Sequence, residues 1–248
     1  MIVLKSRAEI EKMRVAGRIV AGALAGMRDL VRPGVTTAEL DRYAEDYIRK
    51  QGGKPAFKGY MGYPATICAS VNEVVVHGIP SGRVLNDGDI IGIDLGAVAE
   101  GYYGDAAVTF AVGEVSQEIK RLMAVTEECL ARAVAQAVVG NRVSDISHAV
   151  QSHAEANGFS VVREFVGHGI GRKLHDDPQV PNFGPPGQGP RLKAGMTLAI
   201  EPMINLGVYQ TVVLKDGWTA VTLDRKASAH YEHTIAVTED GPDILTAL

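Results

Sequence analysis

Four markers recur at a fixed interval along this chain. Gly34, Glu39, Leu40 and Gly52 return 106 positions later as Gly140, Asp145, Ile146 and Gly158. The order of elements around them repeats too. Ser6 and Glu9 form a capping box ahead of Ile10, Met13, Ala16, Val20, Ala23, Leu24 and Met27, which share helical spacing. "RPGV" at 32–35 stops that helix. Thr36 and Glu39 open a second one, which "QGG" at 51–53 ends, and strand-like segments run from Ala65 to Phe110. In the second cycle a long helix is expected over 116–139, up to Gly140. Another carries Ile146, Ala149, Val150 and His153 and ends at Gly158, and strands follow, including "FSVVREF" at 159–165. The pattern implies two related α-α-β halves sharing one core, an α+β architecture rather than alternating βαβ units. No low-complexity linker divides the halves, so residues 1–248 are expected to form one domain.

With 248 residues, 46% of them hydrophobic, the chain can bury a large core. A net charge of −4 argues against a nucleic-acid or other polyanion surface. Cys68 and Cys129 stand far apart and in no metal-type spacing, which suits free thiols in a reducing compartment. The start "MIVLKSRAEIEKMR" meets charge too soon for a signal peptide, and no apolar run approaches a membrane span. A soluble, cytoplasmic protein is expected.

The residues that stand out are acids and histidines inside apolar strands. "IIGIDLGAVAEGYYGDAAVTF" at 90–110 reads as a hairpin, and a turn at Ala99–Glu100 would make Asp94 and Asp105 direct cross-strand partners on one face. Taken alone, the pair suits a solvent-facing polar edge as well as a metal site. Further segments bear on the choice. His168 and His175 lie in the glycine-rich "FVGHGIGRKLHDDP", Glu201 in "GMTLAIEPMI", Glu232 in "SAHYEHTIAVT" and His77 at the end of "VVVHGIP". Glu is almost never fully buried unless paired. A shared divalent-metal site explains all of these residues together, and four carboxylates can hold two cations. Oxygen ligands with one imidazole favour Mn(II), Fe(II) or Co(II) over a thiolate zinc site.

With "HGIP", "IDLGA…GYYGDAAVTF", "GHGIGRKLH", "IEPMI" and "YEHT" in this order, nearly the whole chain resembles the type I methionine aminopeptidases in their short bacterial form. The resemblance implies the pita-bread fold, two pseudosymmetric halves around a curved antiparallel sheet and a dinuclear metal site. It implies hydrolytic removal of N-terminal methionine from nascent chains, with a small second residue preferred and a bridging water or hydroxide as nucleophile. The implied metal ligands are Asp94, Asp105, His168, Glu201 and Glu232, for two divalent ions drawn from Co, Mn, Fe(II), Zn and Ni. Glu201 would also move the proton, His175 would face the oxyanion and His77 the scissile nitrogen. Phe57, Tyr60, Tyr63, Cys68, Leu174 and Trp218 would hold the methionine side chain. The carbonyls of Asn72, Val74 and Ser228 would hold one Na or K ion. Nascent N-termini are the implied partners, with ribosome association a further expectation and a monomer the expected state.

Only 26 positions separate His175 from Glu201, leaving no room for the helical insertion of type II enzymes. Phe57 stands where the family commonly has Cys, Leu174 where Phe is common and His230 where Gln is common. None of the three is expected to touch a ligand. The competing readings are a proline dipeptidase or aminopeptidase P of the same fold, which usually adds an N-terminal domain, and a catalytically dead relative used for binding.

Overall fold

The computed structural model describes residues 2–247. Helix α1 (Arg7–Met27) opens as expected: Glu9 N–H donates to Ser6 Oγ and Ser6 N–H to the Glu9 carboxylate. Helix α2 (Thr37–Lys50) repeats the device with Thr36 and Glu39. Helix α3 (Gln117–Ala135), capped by Ser116, ends four residues short of the expected Val139, in turns that bring Gly140 N–H onto the Leu192 carbonyl. Helix α4 (Val143–Ala156) starts where the Asp145 carboxylate accepts from Arg142 N–H. Each half buries one helix pair against its own strands, in two separate apolar clusters.

The sequence repeat is a structural repeat. Helices α2 and α4 are both 14 residues long, and the short strands Lys54–Pro55 and Ser160–Val161 keep the same 106-residue interval. Gly34 and Gly140 turn with φ of 93° and 95°, Gly52 and Gly158 with 81° and 80°. These are left-handed values that glycine adopts without steric cost. "FSVVREF" is mostly not a strand: only Ser160–Val161 pairs. Beyond it Arg163 leaves the ladder, its guanidinium 4.2 Å from the Tyr209 ring centroid and 5.3 Å from that of Phe183.

The first half contributes strands Ile90–Ala99 and Tyr102–Ala111; the second contributes Thr197–Ile200 and His233–Thr238. The halves join back to back. Ala107 N–H donates to the Glu232 carbonyl and Glu232 N–H to the Ala107 carbonyl. On one side the Thr234 hydroxyl bonds the main chain of Asp105 in both directions; on the other Thr109 does the same for His230. Residues 105, 107 and 109 therefore match 230, 232 and 234, a local two-fold axis passing between Ala107 and Glu232.

One register expectation is corrected. The hairpin turns at Glu100 and Gly101, both at positive φ (50° and 79°), as a two-residue loop between right-twisted strands requires. Asp94 therefore faces Ala107, and Asp105 faces Gly96. Moving the turn by one residue shifts the pairing by two, so both carboxylates keep the same face.

Helix α1 seats directly on the hairpin. A Cβ at Gly104 would stand 2.8 Å from Gly17 N and 3.0 Å from Ala16 C, so two backbones touch with no side chain between. Overpacking such a contact costs about 1–3 kcal/mol. Gly104→Val should lower the urea midpoint accordingly, while Gly82→Ala, with open space around its Cβ, should leave it unmoved. An unchanged midpoint for Gly104→Val would refute the close seat.

Candidate metal centre

The five sequence-implied ligands converge from five separate segments. Asp94 and Asp105 lie within the two hairpin strands, His168 at the centre of Gly167–Gly169, Glu201 just after Thr197–Ile200 and Glu232 just before His233–Thr238. The glycines beside His168 are required. A Cβ at Gly167 would overlap the Ala199 carbonyl oxygen, and one at Gly169 the Asp177 carbonyl. His168 Nδ1 lies 2.9 Å from the Gly169 carbonyl oxygen. A carbonyl only accepts, so Nδ1 carries the proton and Nε2 keeps its lone pair free, the tautomer a metal ligand needs. That Nε2 is 3.6 Å from Glu201 Oε1 and 4.0 Å from Asp105 Oδ2. One ligand atom each from Asp105, His168 and Glu232 falls within a mutual 4.8 Å.

The acids are buried together without a protein counter-charge. Asp105 and Glu232 are buried, Asp94 and Glu201 nearly so. Asp94 Oδ1, Asp105 Oδ1 and Glu232 Oε1 have no hydrogen-bond partner, and among the described residues no lysine or arginine pairs with any of the four. Burial first, then mutual repulsion, holds the carboxyls of Asp105, Glu201 and Glu232 well above the usual range; Asp94 is raised by burial, opposed by hydrogen bonds from Asp105 and Cys68. Burial lowers His168 to about 4, so its imidazole stays neutral. Orphaned anionic oxygens and a neutral imidazole with a free Nε2 form a donor set that fits a divalent cation.

Above these acids lies a cavity of about 210 Å³. All six residues expected to hold the methionine side chain line it: Phe57, Tyr60, Tyr63, Cys68, Leu174 and Trp218. Tyr63 meets Trp218 edge-on at 5.1 Å. Cys68 sits across the ladder from Asp94. His77 and His175 stand at the cavity wall. His77, at φ 60°, is held near neutral charge by burial, which lowers it to about 4. His175 Nδ1 is 2.8 Å from the Tyr60 hydroxyl. Of the expected monovalent-cation carbonyls, that of Asn72 accepts from Ser228 N–H at 2.9 Å, while Val74 lies in strand Val74–Val76.

The sequence reading missed Met61. It lines the cavity yet is 81% exposed, at φ 48° between Gly59 and Gly62; those flanking glycines were the available signal. His230 is a correction. It was expected to avoid the ligands, but its Nε2 lies 3.7 Å from Glu201 Oε2, because strand Ser228–His230 pairs with Met203–Asn205 directly after Glu201.

The model of Metallopeptidase family M24 matches residues 11–239. The chain belongs to that metallopeptidase family and has its pita-bread fold. Within the family it is 55% identical, over 100% of both chains, to a methionine aminopeptidase of Clostridium perfringens. The crystal structure of a methionine aminopeptidase from Thermotoga maritima superposes with a TM-score of 0.99 at 50% identity, covering 100% of each chain. A prolidase from Pyrococcus furiosus shares the fold alone, with a TM-score of 0.82, 23% identity and coverage of 99% of this chain and 66% of its own. Segment 175–201 has no helix, in keeping with the expected absence of a type II insertion.

Metal binding should stabilise the folded chain by about 2.7 kcal/mol at a hundredfold excess over Kd. Mn(II) added to metal-free protein should raise its unfolding midpoint, and Asp105→Ala should remove the rise. A full Mn(II) response in Asp105→Ala would refute the assignment of Asp105 as a ligand.

Proposed function

We propose that the chain is a metal-dependent aminopeptidase that hydrolyses the peptide bond after an N-terminal methionine, with the five converging side chains as its metal ligands. The observation that carries this reading is the placement of four uncompensated acids and a free Nε2 at the floor of an aromatic, sulfur-containing cavity. Divalent cations, two in our reading and drawn from Co, Mn, Fe(II), Zn and Ni, supply Lewis acidity that lowers the pKa of water and polarises the scissile carbonyl. The protein side chains do the rest. Glu201 accepts the proton of the attacking water and returns it to the leaving amine. His175 donates to the developing oxyanion, with Tyr60 behind it on Nδ1. His77 meets the scissile nitrogen. The cavity takes one flexible thioether, for which aromatic and sulfur surfaces are suited. Nascent chains in the cytoplasm are the proposed source of such N-termini. No helix among the described residues is long and apolar enough to cross a membrane.

The cavity discriminates by burial. Norleucine, nearly isosteric with methionine, should be accepted, whereas Lys or Asp would carry an unpaired charge into it. The second residue must be small, so Met-Ala-Ser should be cleaved while Met-Ile-Ser and Ala-Pro peptides stay intact. Rapid cleavage of Met-Ile-Ser would overturn the size rule.

His175→Ala should lower kcat about 10²–10³-fold, the scale of one oxyanion donor, at unchanged metal content. Loss of metal from that variant would make His175 a ligand and redraw the roles.

A further inference from the structure

The local two-fold axis between Ala107 and Glu232 makes His230 the counterpart of Asp105. Both residues have their main chain bonded in both directions by a buried threonine from the opposite half, Thr234 for Asp105 and Thr109 for His230. Asp105 thereby aims its carboxylate at the centre. His230 is 3% exposed, and its Nε2 is a buried side-chain nitrogen with no hydrogen-bond partner. That atom points at Glu201 Oε2, 3.7 Å away, while His168 Nε2 lies 3.6 Å from Glu201 Oε1. Each oxygen of the Glu201 carboxylate thus faces a different imidazole. The main chain of Glu201 is held as well, its carbonyl accepting from Asn182 Nδ2 at 2.9 Å.

We propose that His230 is a positioning residue of the metal centre: its Nε2–H donates to Glu201 Oε2 and holds the other oxygen toward His168 and the cation. The inference rests on Glu201 being a ligand. The present separation exceeds the roughly 3 Å of a formed bond, and such contacts commonly tighten when a site is filled. Partners behind a ligand typically change metal affinity about 10–100-fold. Glutamine also carries an N–H donor, so His230→Gln separates the donor from the ring.

The test is calorimetric titration of Mn(II) into the metal-free full-length chain. His230→Leu should weaken binding about 10–100-fold, and His230→Gln should restore the wild-type affinity. His230→Asn, polar but too short to reach Glu201, should behave as His230→Leu and replaces it if the leucine variant does not fold. In a Glu201→Gln background, His230→Leu should weaken binding no further, because its effect passes through that carboxylate; a merely structural role would persist there. Wild-type affinity in both His230→Leu and His230→Asn, or an undiminished effect in the Glu201→Gln background, overturns the proposal. If Glu201→Gln alone binds Mn(II) as tightly as wild type, the ligand role of Glu201 falls together with the inference. If Glu201→Gln weakens binding and the His230 variants do not, the inference alone falls.

Discussion

Four carboxylates buried within reach of one another are the constraint around which this structure is organised. Two unit charges 4 Å apart repel by about 4 kcal/mol at an effective dielectric of 20, and whole domains are stable by only about 5–15 kcal/mol. Asp94, Asp105, Glu201 and Glu232 therefore cannot all be ionised there without cations among them. The raised carboxyls, the orphaned oxygens and the absence of a paired lysine or arginine among the described residues all express this requirement. The framework that holds the acids in place is covalently distant and built from main chain: reciprocal threonine bonds, a glycine-flanked histidine strand and a helix seated on bare backbone.

The duplication explains where the acids stand. The turns at Gly88 and Gly195, with φ of 90° and 89°, lead into the strand that carries Asp94 and the strand that ends just before Glu201. Across the axis Asp105 corresponds to His230, and Ala107 to Glu232. Symmetry delivers side chains from both halves to one point, and departures from symmetry give that point its chemistry. Glu232 adds a carboxylate where the first half has only a methyl. His168 adds an imidazole whose hydrogen bond to Gly169 fixes its tautomer. The cavity draws on both halves with different side chains. Phe57, Tyr60, Tyr63 and Cys68 come from the first half, while Leu174, His175 and Trp218 close it from the second.

Much of this was legible in the chain. Capping boxes at Ser6 and Thr36 marked helix starts because their hydrogen bonds are local. The 106-residue recurrence marked the duplication because left-handed turns demand glycine at matching points. Acids in apolar strands marked the centre because an unpaired buried carboxylate is too costly to persist by accident. Where nothing local set the outcome, the reading slipped. Helix α3 ended early because tertiary bonding of Gly140 to Leu192 decided its end. "FSVVREF" has strand composition, but Arg163 found two rings to lie against instead of a partner strand.

The sequence by itself determined which residues could form a metal centre, since residue type and apolar context are properties of the chain. Only the tertiary structure decided which of them share it. The offset of Asp94 from Asp105 is set by the turn at Glu100 and Gly101, the free Nε2 of His168 by its contact with the Gly169 carbonyl, and the approach of His230 to Glu201 by the pairing of Ser228–His230 with Met203–Asn205. The bonds that join the halves, Ala107 with Glu232, Asp105 with Thr234 and Thr109 with His230, link residues more than a hundred positions apart, where no periodicity or capping signal reaches.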